Sequence, residues 1–324
     1  MIKPFIDAHV HLNTPAAASL PGIKAMGAHF LSINTDVPEF IPLEEQQGVT
    51  CGLQEMRPET IRFIGSFSLD NWMEREWIGK TIEQINVSRS KGAVGIKIWK
   101  NLGMEIKDES GHFLMIDDDR LDPLFDFLEE ERILVLGHQG EPRNCWLPLD
   151  EMTVNSDRDY FRNHPEYHMY LHPEYPSYEE QMRARDHRLG KNPGLRFVGL
   201  HLFSLEYDIA EVAARLERFP NSMTDVAERV CHLQLQARRD RQAVRQFMIN
   251  YQDRLMYGTD VIDDGSIDNL EDHFRDLWLR HWKFFSTEEV QTAPEFDGTF
   301  KGLGLPDQVL EKFFYSNAKE IYQF

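Results

Sequence analysis

Short apolar runs rich in β-branched and aromatic residues alternate with longer amphipathic stretches along most of the chain. The runs have the length and composition of buried strands, whereas the stretches between them show the apolar spacing of helices. We predict strands at residues 5–11, 28–35, 61–68, 94–99, 133–138, 195–201, 222–226 and 254–260. The predicted helices include residues 80–91, 123–131, 209–219 and 240–252.

This alternation predicts an α/β fold with a parallel sheet, because parallel strands need a crossover connection that is usually helical. Eight strand–helix units favour closure into a (β/α)8 TIM barrel, distorted by additional segments. A doubly wound open sheet is the alternative. No GxGxxG motif follows the first predicted strand, so the dinucleotide-binding form of that sheet lacks its main sequence signal.

Two segments are too long for a minimal barrel. Residues 141–194 separate the fifth and sixth predicted strands, and an insertion of this length is typical of a lid or an active-site wall. Residues 261–324 follow the last predicted strand as a C-terminal helical extension that could pack across the barrel. No linker or internal repeat is evident, so we interpret residues 1–324 as a single domain.

The composition excludes several classes of protein. With 35 basic against 54 acidic residues, the formal net charge of −19 disfavours binding to nucleic acid or to an anionic membrane surface. Three cysteines without a CxxC motif indicate neither a disulfide framework nor a thiolate zinc site. The N-terminal residues lack the apolar stretch of a signal peptide and no run is long enough to span a bilayer, so we expect a soluble cytoplasmic protein.

Polar side chains with metal-binding or catalytic chemistry lie at the ends of the predicted strands. The first strand ends in a His-x-His pair whose imidazoles share one face, since side chains alternate along a strand. In a (β/α)8 barrel the carboxyl ends of the strands form one mouth, where active sites lie. The side chains expected to converge there are His9, His11, His138, His201 and Asp260.

Four imidazoles and a carboxylate are a suitable donor set for a borderline divalent cation such as zinc, which lowers the pKa of a bound water. Taken singly, each residue has a simpler interpretation. The His-x-His pair could be incidental, His138 and His201 could be hydrogen-bonded core residues, and Asp260 could cap the next segment. A metal site is favoured because all of these residues occur at strand ends in order.

The combined motifs resemble the amidohydrolase superfamily, and in particular its amidohydrolase-related branch, which includes aminocarboxymuconate-semialdehyde decarboxylase. The matching segments follow the family order over nearly the whole chain: DAHVH at 7–11, GIK at 95–97, LGHQG at 136–140, VGLH at 198–201, FPNSMTD at 219–225, RLMYGTD at 254–260 and NAKEIY at 317–322. The resemblance implies a distorted barrel that holds one divalent metal ion, commonly zinc, with manganese or iron possible. It also suggests a homodimer.

The resemblance further implies roles for the strand-end residues. His9, His11, His138 and Asp260 would be metal ligands. His201, helped by Asp260, would orient or deprotonate the metal-bound water.

Lys97 in the fourth predicted strand leaves two interpretations open. In binuclear members of the superfamily a lysine on this strand is carboxylated and bridges two metals, so a second metal would accompany a carboxylated Lys97. In the mononuclear branch that this sequence resembles, the lysine could instead help to hold an anionic substrate.

Two arginines near the predicted mouth, Arg143 and Arg229, are further candidates for substrate binding. Guanidinium groups suit bidentate recognition of a carboxylate. The structural alternatives are an ion pair within the long insertion for Arg143 and a pair with Asp225 or Glu228 for Arg229.

Together these residues predict a metal-dependent hydrolase in which a metal-bound water attacks a carbonyl carbon of a small, anionic organic substrate. A non-oxidative decarboxylase of an aromatic or enol acid on the same metal site is the alternative, because ligand motifs do not reveal whether water is consumed. A metal-free binding or structural barrel is disfavoured by the intact set of strand-end residues.

Overall fold

The computed structural model describes residues 4–16 and 26–324. The strands are β1 Phe5–Leu12, β2 Ala28–Ile33, β3 Ile61–Ser66, β4 Ile96–Ile98, β5 Val135–Gly137, β6 Phe197–Gly199, β7 Ser222–Asp225, β8 Leu255–Met256, β9 Val261–Asp263, β10 Val290–Ala293 and β11 Phe296–Lys301. The first nine form one parallel sheet in the order β8-β7-β6-β5-β4-β3-β2-β1-β9, whereas β10 and β11 form a separate antiparallel hairpin.

Helices connect the strands and cover the sheet. They are α1 Leu43–Met56, α2 Trp77–Ser90, α3 Asp122–Glu130, α4 Asn155–Asn163, α5 Tyr178–Lys191, α6 Ile209–Arg218, α7 Val230–Asn250, α8 Leu270–Ser286, α9 Asp307–Glu311 and α10 Asn317–Ile321. The predicted helix at 240–252 starts ten residues earlier, because α7 continues through a kink at Asp240. No helix in the described part of the chain is long and apolar enough to cross a membrane.

The sheet closes into a (β/α)8 barrel between β1 and the chain that follows β8. The Ala8 N–H donates to the Tyr257 carbonyl at 2.9 Å, and the Asp260 N–H donates to the His9 carbonyl at 2.8 Å. Gly258 lies between these two bonds. A Cβ atom there would come within 2.8 Å of the His9 Cβ, so the close approach of the two chains requires glycine. The predicted barrel is thereby confirmed.

A bulge in β1 changes which face of the strand its side chains occupy. The pairing of β1 with β2 shifts register between Asp7 and Val10, so β1 carries one extra residue there. Before the bulge, Ile6 and Ala8 pack with the apolar residues of the other strands inside the barrel. After it, His9 and His11 face the mouth. Bulges beside active sites commonly redirect side chains in this way.

The C-terminal segment covers the opposite end of the barrel. Ala318 and Tyr322 pack in the same apolar cluster as the barrel interior. The Asn317 side-chain amide donates to the carbonyls of Gln252 and Leu255, which fixes α10 beneath β8. With one end filled by side chains, the carboxyl ends of the strands form the accessible mouth.

The long segment between β5 and β6 has two parts. Its last part is α5, the crossover helix of this strand pair, which begins with a capping box formed by Ser177 and Glu180. Residues 141–177 precede it and carry α4 and short 3-10 turns. The Gln181 amide donates to the Gly103 carbonyl and the Asn155 N–H donates to the Glu295 carbonyl, so the segment is bonded to the chain after β4 and to the hairpin.

Candidate metal centre and active site

Three side chains from the first and last barrel strands meet at the mouth. The Nε2 atoms of His9 and His11 each lie 3.1 Å from the same carboxylate oxygen, Oδ1 of Asp260. Asp260 adopts a left-handed backbone with φ of 66°, which points its side chain back across the mouth. These three residues can offer ligand atoms within 4.8 Å of one another, which is close enough to hold a cation.

The other two strand-end histidines complete the cluster. The ring of His201 lies 4.8 Å from the ring of His9 and 4.3 Å from that of His138, measured between centroids. The Nε2 atom of His201 is 3.8 Å from Oδ2 of Asp260. The structure therefore brings together all five residues that the sequence places at strand ends.

Hydrogen bonds at Nδ1 fix the orientation of three of these imidazoles. Nδ1 of His9 bonds to Oδ2 of Asp225 at 2.7 Å, that of His11 to the Ile33 carbonyl at 2.6 Å, and that of His201 to a carbonyl at 2.9 Å. An oxygen acceptor at Nδ1 holds the proton on that nitrogen. The lone pair of each neutral ring is then on Nε2, the arrangement usual for histidines that bind metal.

The unsatisfied atoms of the cluster fit a divalent cation. The buried Nε2 atoms of His9, His138 and His201 have no hydrogen-bond partner among the described residues. Buried polar atoms are rarely left without a partner, and each costs stability. Neutral imidazole nitrogens with one carboxylate form a nitrogen–oxygen donor set that suits zinc, manganese or iron(II). The residues present thus match the metal that the sequence predicts.

Electrostatics at the centre oppose each other in two ways. Burial alone would lower the pKa of His9, but the charges of Asp260 and Asp225 outweigh it and raise this pKa to about 9. Burial would likewise raise the pKa of Asp260, yet His9 and His201 hold it well below its usual range. Asp260 is therefore ionised at neutral pH, as a carboxylate ligand must be.

The other two histidines lie in less favourable surroundings for a positive charge. Burial lowers the pKa of His201 to about 3, in spite of the opposing charge of Asp260. Burial, together with the positive groups of His201 and Lys97, holds the pKa of His138 well below its usual value. Both rings are neutral at pH 7 and can accept a proton or bind a cation through Nε2.

Lys97 on β4 is only 2% exposed at the bottom of the mouth. Burial lowers its pKa to about 8, and the charges of Asp260 and Asp225 oppose this effect. A lysine with such a pKa is partly neutral near physiological pH, which is the state that reacts with carbon dioxide. Both interpretations made from the sequence, a carboxylated lysine and a cation that holds the substrate, fit this position.

The two predicted arginines lie in different places. Arg229 is buried beside the mouth, and its guanidinium lies 3.1 Å from a carboxylate oxygen of Glu228. Arg143 lies instead over the ring of Tyr207, 4.5 Å from its centroid. It lines a cavity of about 700 Å³ between α5 and α6, and none of the strand-end histidines lines that cavity. The structure thus brings Arg229 to the centre but not Arg143.

Asp225, at the end of β7, is a site residue that the sequence analysis did not assign. Its side chain is fully buried and bonds to both His9 and His201. Its position at a strand end in FPNSMTD was the available signal, because it is the same signal that identified Asp260. Glu228 was also missed as a neighbour of the centre, since it can offer an oxygen close to His201 and Asp260.

The backbone around His201 is strained. The four consecutive residues His201–Ser204 have φ values of 57°, 58°, 59° and 53°, and none of them is glycine. Left-handed backbone costs about 1–3 kcal/mol at a non-glycine residue and persists only where surrounding contacts enforce it. Strain of this kind concentrates at functional sites, and here it sets the direction of the His201 ring.

Comparisons with known proteins agree with this fold. An uncharacterised TIM-barrel protein from Bordetella bronchiseptica is similar at 14% identity, with a TM-score of 0.54 and coverage of 98% of this chain and 97% of that one. A 2,6-dihydroxybenzoate decarboxylase from Rhizobium is similar at 14% identity and a TM-score of 0.57, with 99% of each chain covered. A 5-carboxyvanillate decarboxylase from Novosphingobium aromaticivorans, with bound manganese, gives 15% identity and a TM-score of 0.51 over 94% and 80%.

At this level of identity the structural similarities establish the fold alone. No curated protein sequence matches the chain. The family model described as amidohydrolase matches residues 6–324, which include every strand of the barrel and all five strand-end residues. The chain therefore belongs to the amidohydrolase family of metal-dependent enzymes.

Proposed function

We propose that this protein is a metal-dependent hydrolase that acts on a carbonyl group of a small, anionic organic substrate. One divalent cation, for which zinc is our first choice and manganese or iron the alternatives, would be held by His9, His11, His138 and Asp260. The observation that carries the proposal is the buried Nε2 atom of His201, which has no hydrogen-bond partner among the described residues and faces Asp260.

When bound, a divalent cation supplies Lewis acidity towards a substrate oxygen and lowers the pKa of water. The protein itself manages the proton. His201 is neutral at pH 7 and holds its Nδ1 proton against a main-chain carbonyl, so its Nε2 lone pair can accept a proton from an attacking water. Asp260, 3.8 Å away, stabilises the imidazolium that forms, and His201 can return the proton to the leaving group.

The anionic character of the substrate follows from the cations near the centre. Lys97 lies at the bottom of the mouth and Arg229 at its side, and both side chains are buried. A protein with a net charge of −19 repels anions unless local cations offset that field. Substrate carboxylate groups would pair with Lys97 and Arg229, which leaves the carbonyl group to face His201.

Decarboxylation is the second candidate, and buried Lys97 favours it. A cation with little access to water can bind a substrate carboxylate beside the proton-carrying residue. In this reaction the bond between the carboxyl carbon and its neighbour breaks, carbon dioxide leaves, and a proton from His201 replaces it on the remaining carbon. The same residues would therefore serve both reactions, and only the products differ.

The test is a substrate panel assayed with protein loaded separately with zinc, manganese and iron(II). Lactones and amides that carry a second carboxylate would be followed by acid release, and hydroxylated benzoates by release of carbon dioxide. We expect acid release without carbon dioxide, and we expect His201→Asn to abolish it. Carbon dioxide release would favour the second candidate, whereas activity that is equal with and without metal would contradict both.

The metal content provides a separate test. Elemental mass spectrometry on protein purified without chelator should find about one transition metal per chain. About two metals would indicate that Lys97 is carboxylated and bridges them. No bound metal, and none regained after adding zinc or manganese, would contradict the proposed function.

A further inference from the structure

We propose that Asp225 is the positioning residue of the metal centre. One of its carboxylate oxygens fixes the ring of His9 and the other fixes the main chain of His201, so that both Nε2 atoms face the cation. This inference rests on the proposed function, because it assumes that a metal binds at His9, His11, His138 and Asp260. It adds a residue that touches neither the metal nor the substrate.

Both oxygens of Asp225 are in use. Oδ2 accepts a hydrogen bond from Nδ1 of His9 at 2.7 Å, and Oδ1 accepts one from the main-chain N–H of His201 at 2.7 Å. The side chain is fully buried at the end of β7. Asp225 can be grouped with His9 and His201 as a possible cation site by distance alone. Because its oxygens already accept these bonds, we assign it a supporting role.

The bond to His9 determines which ring nitrogen is available. A carboxylate can only accept a hydrogen bond, so the proton of His9 is held on Nδ1 and the lone pair lies on Nε2. The other tautomer would direct an N–H group at the cation. Partners of this kind typically change metal affinity by about 10–100-fold when they are removed.

The bond to His201 supports a strained backbone. His201 is the first of four consecutive non-glycine residues with left-handed φ values, and its N–H is the group that Asp225 holds. A buried carboxylate that accepts from this N–H offsets part of the cost of the turn. The same side chain therefore sets the direction of a metal-binding ring from β1 and of a proton-accepting ring that follows β6.

The substitution Asp225→Asn tests this role with almost no change in shape. If the amide oxygen keeps the bond from His201, the NH2 group faces Nδ1 of His9 and forces the ring proton onto Nε2. If the amide is reversed, the bond from His201 is lost. We expect the Kd for Mn²⁺ and for Zn²⁺, measured by competition with a chelator, to rise about 10–100-fold.

A matched control is Asp157→Asn. Asp157 is another buried carboxylate beside a histidine, 3.5 Å from Nε2 of His232, and it is not among the possible metal ligands. Its substitution should leave the Kd for Mn²⁺ within about twofold of that of the unmodified protein. An equal loss in both variants would mean a general structural effect and would overturn the inference.

A spectroscopic measurement on the unmodified protein guards against a variant that fails to fold. In zinc-loaded protein with ¹⁵N-labelled histidine, the Nδ1–H proton of His9 should appear far downfield because it bonds to a carboxylate. A His9 ring protonated on Nε2 would overturn the inference. If the unmodified protein binds no metal, the proposed function itself fails; if it binds metal and Asp225→Asn binds it equally well, only the role of Asp225 fails.

Discussion

Two buried polar clusters lie on either side of the closing strands of the barrel. The mouth cluster consists of His9, His11, His138, His201 and Asp260, and three of its ring nitrogens have no partner among the described residues. The seam cluster consists of Asp7, Thr259, Trp278, Tyr257 and His281. In the seam cluster, the Asp7 carboxylate accepts bonds from the Thr259 N–H, the Thr259 hydroxyl and the Trp278 Nε1–H, at 2.9, 2.7 and 2.8 Å.

This difference separates a site that awaits a ligand from one that holds the fold together. Buried polar groups are nearly always satisfied in folded proteins, as Asp7 is, and as the Tyr257 hydroxyl is by bonding to Nδ1 of His281 at 2.9 Å. Unsatisfied nitrogens that share one side of a cavity therefore indicate a missing partner. Asp7 and His9 are only two residues apart, so neither chain position nor residue type alone distinguishes the two clusters.

The largest effect is expected from Asp260→Asn in the mouth cluster. Losing the carboxylate removes a metal ligand and the group that stabilises protonated His201, so turnover should fall about 100- to 10,000-fold. The melting temperature should change little, because Asp260 lies at the rim rather than in the packed interior. The assay is kcat on the substrate found by the panel, with thermal unfolding measured beside it. Near-normal turnover would contradict the role of Asp260.

The opposite result is expected from Asp7→Ala in the seam cluster. Three buried donors would lose their acceptor, and the free energy of unfolding should fall on the order of 3 kcal/mol. The Kd for Mn²⁺ of the folded protein should stay within about threefold, because Asp7 bonds away from the mouth. Urea unfolding and metal titration measure the two quantities. A large loss of metal affinity with unchanged stability would reverse our assignment of the clusters.

A smaller effect is expected from Arg229→Lys, with Arg143→Lys as its matched partner. The lysine ammonium keeps the charge but not the planar donor fork, so KM should rise about tenfold at position 229 while kcat changes less. At position 143 the side chain lies over Tyr207, and KM should change less than twofold. Steady-state kinetics on both variants decide between the two arginines. A larger rise in KM at position 143 would move substrate recognition to the cavity between α5 and α6.

The smallest effect concerns the acid stability of the seam cluster. Burial lowers the pKa of His281 to about 3, below the ordinary value of 6.5, so the unfolded state binds more protons between these pH values. Stability should therefore be lost as the pH falls from 6.5. His281→Gln should reduce this loss by about 1 kcal/mol between pH 6.5 and 5.5. Urea unfolding at both pH values tests this, and an unchanged pH dependence would contradict the assignment.

Much of the fold follows from local pattern. All eight predicted strands contain an observed strand, because apolar runs bounded by turns indicate buried strands and parallel strands need crossovers. The convergence of His9, His138 and Asp260 could be predicted for the same reason, since strand ends share one mouth. The start of α7 was misplaced by ten residues, because the kink at Asp240 divides a helix whose first half has less regular spacing.

The sequence by itself determined the number of strands, their order and the residues at their ends. Only the tertiary structure decided which of those residues act together. Simple alternation places Asp7 on the same face as His9, but the bulge in β1 turns Asp7 towards Trp278 and His9 towards Asp260. The reason is physical: spacing along a strand is local, whereas a bulge and the partner at each oxygen depend on neighbours that are distant along the chain.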